Sequence, residues 1–401
     1  PKLCREYKKE RATVHLKELV GGALSFYAAA AVAKTGGVHI FVAEDRDAAA
    51  YLLNDFYNLL DEKQVYFFPS SYKRSAAYGA EDAQGVVQRT TAMNAVRGFT
   101  KGYLVVCTYP EALAERVVDA ATLQRDTIAV KLGDKISIAV LEDALADANF
   151  TRVDFVYEPG QYSVRGGIVD VFSYSESKPY RIDFFGDEVD SIRRFNISSQ
   201  LSADKLDRVE IVPNLNAGEA PRVSFVQFAG SSATCWFYDA DYVLRRVNDL
   251  RRKVLADMEE PGQIDRLLTS RNVLLRDMAG NSVVALRDNL PERPATAAVV
   301  FDTAPQPKFN KNFEMLADDM IRNSLRGYAT YILSENKVQV ERLENIFHQI
   351  GRGQAAVRSL SVTLHEGFVD NDLKLCLYTD HQIFDRYQRY RINGEIRRDE
   401  Q

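Results

Sequence analysis

Residues 156–195, VYEPGQYSVRGGIVDVFSYSESKPYRIDFFGDEVDSIRRF, contain four short apolar or alternating stretches with turn signals between them. The turn signals include Pro159-Gly160, Gly166-Gly167 and Gly186-Asp187. Consecutive strands joined by such short turns are typical of an antiparallel sheet. With a helical pattern at 140–148 in front of it, this stretch predicts an α+β domain.

The predicted α+β domain covers residues 127–212. VDFVY (153–157) is interpreted as one more of its strands, and the pattern ends near Val212-Pro213. The sequence on either side has a different character, so we interpret this domain as an insertion.

Residues 11–118 alternate between helical and strand patterns. Gly36-Gly37 ends the first helical pattern in the manner of a C-cap. Alternation of strands with helices predicts a parallel sheet with crossover helices. The predicted helices are 24–34, 48–60 and around 82–97, and the predicted strands are 38–43, 65–68 and 103–107.

The chain after the insertion returns to mixed α/β patterns. Residues 213–302 contain predicted strands at 223–228, 234–238 and 297–301, and a predicted helix at 241–258. A proline-containing stretch, 303–313, is interpreted as a linker. The order helix, strand, helix, strand, strand, helix then predicts a small third domain at 314–394.

Composition and charge exclude several functional classes. The net charge is −5, whereas a dedicated duplex-DNA binder usually has a basic face. The four cysteines form no CxxC pair and the histidines are scattered, so we expect no disulfide framework and no metal site. His365-Glu366 lacks the second histidine of a metalloprotease helix. With no apolar run of about 18 residues and no signal-peptide pattern, we expect a cytoplasmic protein without a membrane span.

The glycine-containing turn ELVGGALS (18–25) resembles an incomplete phosphate-binding loop. Such loops have the pattern G-x-x-x-x-G-K-[ST], in which the lysine and backbone N–H groups hold the phosphates. Gly21 and Gly22 are present, but Leu24 stands at the lysine position, before Ser25. We therefore predict a turn before a core helix, with no nucleotide or other cofactor bound.

Two further features of possible catalytic interest have plain structural interpretations. Asp239-Ala240-Asp241 lies where a helicase places its magnesium-binding acids, but the usual Asp-Glu pair is absent. We predict that these residues form a loop and a helix cap. Cys107 ends an apolar strand and is predicted to be a core thiol.

The strand PYRIDFF (179–185) has an unusual polar face. Side chains alternate between the two faces of a strand, so Ile182 and Phe184 share the predicted core face. Phe185 then lies on the same face as Arg181, and an exposed aromatic residue beside arginine is typical of an interface hot spot. The alternative is that Phe185 packs under a neighbouring loop or domain.

Arg165 precedes the Gly166-Gly167 turn, which is predicted to be a bulge or tight bend that re-aims side chains. The arginine is therefore predicted to project to the same outer surface as Arg181. The alternative is a surface salt bridge from Arg165 to Asp183, Asp187 or Glu188.

The segments EPGQYSVRGGIVDVF and PYRIDFFGDEVDSIR are similar to the second domain shared by UvrB and the bacterial transcription-repair coupling factors (Mfd). LHEGF…LKLCLYTDHQIF (364–384) resembles the third domain of the coupling factors. UvrB itself keeps an ATP site and a tyrosine-rich DNA-gripping hairpin, whose place here, between Phe68 and Val86, holds PSSYKRSAAYGAEDAQG. Both differences favour the coupling-factor family.

The resemblance implies an α/β fold in three parts. These are a degenerate P-loop helicase-like parallel-sheet domain in two halves (1–126 and 213–302), the inserted α+β domain (127–212), and a linker with a small third α/β domain (303–401). It also implies a non-enzymatic module that recruits UvrA through Arg165, Arg181 and Phe185.

In that family the translocase and the RNA-polymerase-binding domain lie further along the chain, and other domains mask the UvrA surface. RNA polymerase and DNA would then be partners only through regions beyond this sequence. Two alternatives stay open. One is a UvrB-type ATPase or DNA-unwinding domain, and the other is a DNA-binding module, whose affinity would fall steeply with added salt.

Overall fold

The computed structural model describes residues 2–9, 11–72, 81–216, 220–258, 260–287, 290, 292–388 and 390–392. Residues 73–80 belong to the stretch that the sequence analysis compares with the UvrB hairpin, and they lie outside the described residues.

The described strands, in chain order, are β1 (Thr13–Lys17), β2 (Gly37–Val42), β3 (Val65–Phe67), β4 (Tyr103–Thr108), β5 (Val117–Val118), β6 (Ile128–Lys131), β7 (Thr151–Arg152), β8 (Gln161–Arg165), β9 (Ile168–Val171), β10 (Tyr180–Phe185), β11 (Glu188–Phe195), β12 (Ser202–Leu206), β13 (Arg208–Ile211), β14 (Arg222–Val223), β15 (Thr234–Phe237), β16 (Ser282–Ala285), β17 (Ala297–Val300), β18 (Thr303–Pro305), β19 (Ala329–Leu333), β20 (Ser359–Leu360), β21 (Phe368–Asp370) and β22 (Leu375–Thr379).

The described α-helices are α1 (Lys2–Tyr7), α2 (Ala23–Thr35), α3 (Arg46–Leu59), α4 (Ala83–Arg97), α5 (Pro110–Ala114), α6 (Ala120–Asp126), α7 (Ile138–Asp147), α8 (Phe225–Ala229), α9 (Ala240–Asp257), α10 (Ile264–Leu267), α11 (Arg271–Asp277), α12 (Phe313–Leu325), α13 (Lys337–Gln349) and α14 (Asp380–Ile383). Short 3₁₀ turns lie at Glu62–Gln64, Pro261–Gln263 and Met278–Gly280.

A parallel sheet of seven strands, which we call the body sheet, has the order β17–β1–β16–β15–β2–β4–β3. Its strands come from both sides of the predicted insertion. β2 and β4 are nearly continuous apolar runs because a strand in a parallel sheet is buried on both faces. Trp236 stacks on Phe41 with 4.9 Å between ring centroids, inside the core of this sheet. The predicted α/β class with a parallel sheet and crossover helices is confirmed.

A second sheet of six strands, the inserted sheet, has the order β12–β11–β10–β9–β8–β7. It is antiparallel except for the β7–β8 pair, which is parallel. Helix α7 covers one face, where Leu141 and Leu145 pack with Val169, Ile182 and Ile192. The arrangement explains the alternation in β10, since every second side chain enters this core.

The third sheet has the order β18–β21–β22–β19–β20, and its core includes Phe309, Leu316, Phe347 and Tyr378. It draws its strands from residues 303–379. The body sheet takes its strands from residues 13–108 and 234–300, the inserted sheet from 151–206, and the third sheet from 303–379. The residue boundaries of the domains stay a prediction.

Three local predictions are wrong. The predicted strand 223–228 is absent beyond Val223, which ends β14, because Ser224 caps helix α8 by accepting from the Gln227 N–H and Phe225 stacks on Phe68. Residues 153–157 lie outside any strand, since β7 ends at Arg152. Residues 303–313 are not a free linker, because β18 pairs with β21 and Phe309 is buried.

The third sheet is joined to the body through helix α3. Asp55 on that helix accepts a hydrogen bond from the His365 backbone N–H (2.6 Å) and one from the Ser25 hydroxyl (2.5 Å). The His365 ring stacks on Tyr51 at 3.8 Å, and the Asn58 amide donates to the Thr363 carbonyl (3.0 Å). A buried carboxyl group therefore lies at the centre of the contact between the two sheets.

Asp55 should make the stability of this contact depend on pH. Burial raises the pKa of Asp55 to about 7, whereas an unfolded aspartate has a pKa of about 3.9. Between those two pKa values the folded state binds a proton that the unfolded state does not. The free energy of unfolding therefore falls as the pH rises towards about 7. We expect the free energy of unfolding to fall by about 1 kcal/mol more from pH 6 to pH 8 in the wild type than in Asp55→Asn. Urea denaturation of both proteins at both pH values measures the difference, and identical pH dependence would contradict it.

Candidate docking surface and the glycine loop

The open face of the inserted sheet is set by the register of its central strands. Ser163 lies opposite Asp170, and Asp170 lies opposite Arg181. Residues directly opposite each other in an antiparallel pair have side chains on the same face. These side chains therefore point away from helix α7, on the face opposite to the core.

Asp170 binds both arginines that the sequence singled out. It is 2% exposed, and its Oδ2 accepts from Arg165 Nη2 at 2.5 Å. Arg181 binds the same carboxylate through Nε (2.7 Å) and Nη2 (2.9 Å), and it also donates to Gln200 Oε1 (3.1 Å). The hydrogen bond to Asp170 raises the pKa of Arg181, so its guanidinium stays charged. One buried carboxylate thus brings the two predicted arginines together.

The salt-bridge partner of Arg165 is not one of those that the sequence analysis considered. The alternative partners proposed for Arg165 were Asp183, Asp187 and Glu188, but the observed partner is Asp170. The sequence contained a signal for Asp170: in the apolar strand IVDV it alternates with valines, which places it on the polar face.

Aromatic rings lie beside both guanidinium groups. Arg181 Cζ is 4.3 Å from the centroid of the Phe195 ring, which is buried, and Arg165 Cζ is 4.9 Å from the Phe155 ring. At such distances the ring quadrupole attracts a cation. These stacks hold the flat guanidinium groups in fixed orientations.

Phe185 lies at the end of β10, opposite Glu188 in the hairpin with β11, and it is 84% exposed. A register shift between Asp183 and Phe184 accompanies this end of the strand. The alternative that Phe185 packs under a neighbouring loop does not hold for the described part of the chain. Ile182 and Phe184 face the core as predicted.

Asp183 completes the charged face. It accepts from Ser191 Oγ (2.5 Å) and forms an ion pair with Arg193. The face therefore has alternating charges of both signs and one large exposed aromatic ring, a composition that suits protein recognition.

The glycine loop lies between β1 and α2, as predicted, but the third sheet's connecting segment covers it. Gly21 has a φ of 56°, and a Cβ on Gly22 would lie 2.1 Å from the Glu366 carbonyl oxygen. Only glycine permits so close an approach of two backbones. Part of the space over this loop is thus taken by the chain itself.

A cavity of about 490 Å³ remains beside the glycine loop, at the carboxyl ends of β2 and β15. Glu18, Glu44 and Glu366 line it, together with Leu24 and one arginine, Arg287. The Ser25 hydroxyl, which would meet magnesium in an active loop, is bound to Asp55 instead. The charges and the missing lysine both disfavour a triphosphate here.

The remaining candidates of the sequence analysis have structural roles. Asp239 caps α9 by accepting from the Tyr242 N–H (2.9 Å), and Asp241 forms ion pairs with Arg245 and Arg271. Cys107 is fully buried, as predicted.

The described residues contain no group of three histidine, cysteine, aspartate or glutamate side chains that could hold a metal ion. Among the same residues, no helix is both long and apolar enough to span a bilayer.

Comparison with known proteins shows what the inserted sheet is similar to. Residues 128–216 match the family model described as the UvrB interaction domain. The chain is 27% identical over 199 residues to the transcription-repair-coupling factors of Bacillus subtilis (strain 168) and Escherichia coli (strain K12), which is 49% of this chain and 17% of each relative. It is 35% identical over 101 residues to that of Haemophilus influenzae, which is 25% of this chain and 9% of the relative.

The aligned part thus spans less than a fifth of the length of these relatives. The family match contains β8 to β12 and also Asp170 with its partners Arg165 and Arg181, which we call the Asp170 cluster. Residues 128–216 are therefore similar to the UvrB interaction domain, and about half of the chain is similar to transcription-repair-coupling factors.

Proposed function

We propose that this chain is the recruitment module of a transcription-repair coupling factor and binds UvrA through the open face of the inserted sheet. Arg165, Arg181 and Phe185 form the docking surface, and binding brings nucleotide excision repair to a stalled RNA polymerase. The observation that carries the proposal is the 84% exposure of Phe185 beside the Asp170 cluster, inside the matched domain.

The organisation of the charges favours a protein partner over nucleic acid. A DNA-binding surface offers lysines and arginines to phosphates, and affinity rises with the number of phosphates neutralised. Here Asp170 and Asp183 offset the charges of Arg165, Arg181 and Arg193, so these five side chains keep one net positive charge, which is too little to hold a run of phosphates. A rigid arginine fork beside an exposed phenylalanine is instead typical of protein hot spots.

The proposal includes the absence of ATPase activity from this chain. Leu24 replaces the lysine, Glu366 covers Gly22, and Ser25 is bound to Asp55. DNA translocation and RNA-polymerase binding would belong to other regions of a full-length protein. Other domains there would mask the docking surface until it is needed.

Removal of the exposed ring should weaken UvrA binding. Phe185→Ala is expected to cost on the order of 2 kcal/mol, or about thirtyfold in Kd, because hot-spot aromatics carry much of the energy of an interface. Val140→Ala is the matched control, since Val140 is also exposed but lies on α7, across the sheet. Calorimetric titration with purified UvrA measures both variants. Equal affinity of a folded Phe185→Ala protein and the wild type would remove Phe185 from the site.

The Asp170 carboxylate should matter for both stability and binding. Asp170→Asn leaves two arginines without their shared counter-charge, and breaking a buried ion pair costs about 3–5 kcal/mol. Because both arginines are partly solvated, we expect about 2 kcal/mol of lost stability and a weaker complex with UvrA. Thermal unfolding and the same titration test this. Unchanged values in both would mean that Asp170 does not organise the surface.

Nucleotide should not bind to the glycine loop. We expect no saturable ATP binding at millimolar concentration with magnesium, because the cavity has carboxylates where phosphate would lie. Calorimetry with ATP measures this directly. Saturable binding that is lost in Ser25→Ala or Asp239→Ala would favour the UvrB-type ATPase alternative.

A further inference from the structure

Phe155 is a second exposed phenylalanine of the inserted unit, in the segment that follows β7. It is 47% exposed. The two residues before Phe155 hold the segment against the edge of β8. The Val153 N–H donates to the Tyr162 carbonyl (2.9 Å), and the Ser163 hydroxyl donates to the Asp154 carbonyl (2.8 Å). The ring therefore has a fixed place at the sheet edge.

Phe155 is connected directly to the Asp170 cluster. The Arg165 guanidinium lies 4.9 Å from its ring centroid and also binds Asp170 at 2.5 Å. An open groove of about 470 Å³ lies between residues 152–155 and 163–165. The surface centred on Arg165 thus continues past β8 to the edge of the sheet.

Phe155 and Phe185 lie at different strand positions of the inserted sheet. The segment that holds Phe155 borders β8, which holds Arg165, and β9 separates β8 from β10, which holds Arg181 and Phe185. Three strand spacings are roughly 14 Å. Exposed rings about that far apart across the sheet fit two side chains on one short extended segment of a partner.

The charge of the cluster indicates what the segment should carry. Two guanidinium groups share one carboxylate, so two positive charges and one negative charge leave one positive charge. A partner carboxylate at this point would form charge-assisted hydrogen bonds with both arginine forks.

We propose that Phe155 is the second aromatic anchor of the docking surface, and that the partner segment bears a carboxylate with an apolar side chain on each side. The carboxylate meets Arg165 and Arg181, and the two apolar groups meet Phe155 and Phe185. This inference rests on the proposed function, because it describes how the same surface engages UvrA.

The test is a titration of purified UvrA with single variants of the whole chain, each checked for folding by circular dichroism. Phe155→Ala should weaken binding about tenfold, whereas Phe155→Tyr, which keeps the ring, should stay within about twofold. Val140→Ala is the control on the far side of the sheet. Phe155→Glu should weaken binding more than Phe155→Ala, since it repels the partner carboxylate, and added salt should reduce that excess.

The outcomes separate this inference from the proposed function. Wild-type affinity of both Phe155→Ala and Phe155→Glu, together with a loss in Phe185→Ala, overturns the second anchor and leaves the recruitment function in place. An equal effect of Phe155→Glu and Phe155→Ala at low salt overturns the partner carboxylate. Failure of the wild type to bind UvrA overturns both proposals.

Discussion

The carboxylate of Asp170 accepts hydrogen bonds from arginines on two different strands, and the open face of the inserted sheet is organised around it. A buried carboxylate is costly unless it is paired, so Asp170 requires both guanidinium groups to stay near it. The arginines are in turn fixed at the surface, with Phe195 and Phe155 against their flat sides. A partner that binds here meets an ordered set of donors, which lowers the entropy cost of recognition.

The glycine turn of the body sheet is closed by contacts from the third sheet. The body sheet is fully parallel, and a glycine turn still leads from β1 into α2. The segment around Glu366, whose backbone touches Gly22, partly fills the space above that turn. Asp55 on helix α3 binds both Ser25 and His365, so it joins the glycine turn to the third sheet. The loop keeps its glycines because the backbones come so close together.

Much of the architecture was accessible from sequence patterns, since these report local physics. The alternation of helices and apolar strands predicted the parallel sheet, and the turns at Gly166-Gly167 and Gly186-Asp187 predicted the antiparallel one. The errors at 153–157 and 223–228 have one cause. Short apolar runs have the same composition in a strand, a short helix or an edge segment, and the difference lies in contacts such as Phe225 on Phe68.

The sequence alone established the class of the fold, the faces of β10 and the presence of Leu24 where a phosphate-binding loop has lysine, because periodicity and residue chemistry are properties of neighbouring residues. It could not show that Asp170 joins Arg165 to Arg181, that Phe155 lies against Arg165, or that Glu366 covers Gly22. Each of these contacts joins different strands or different sheets. Strand pairing and the packing of one sheet on another bring such residues together, and both depend on the whole folded chain.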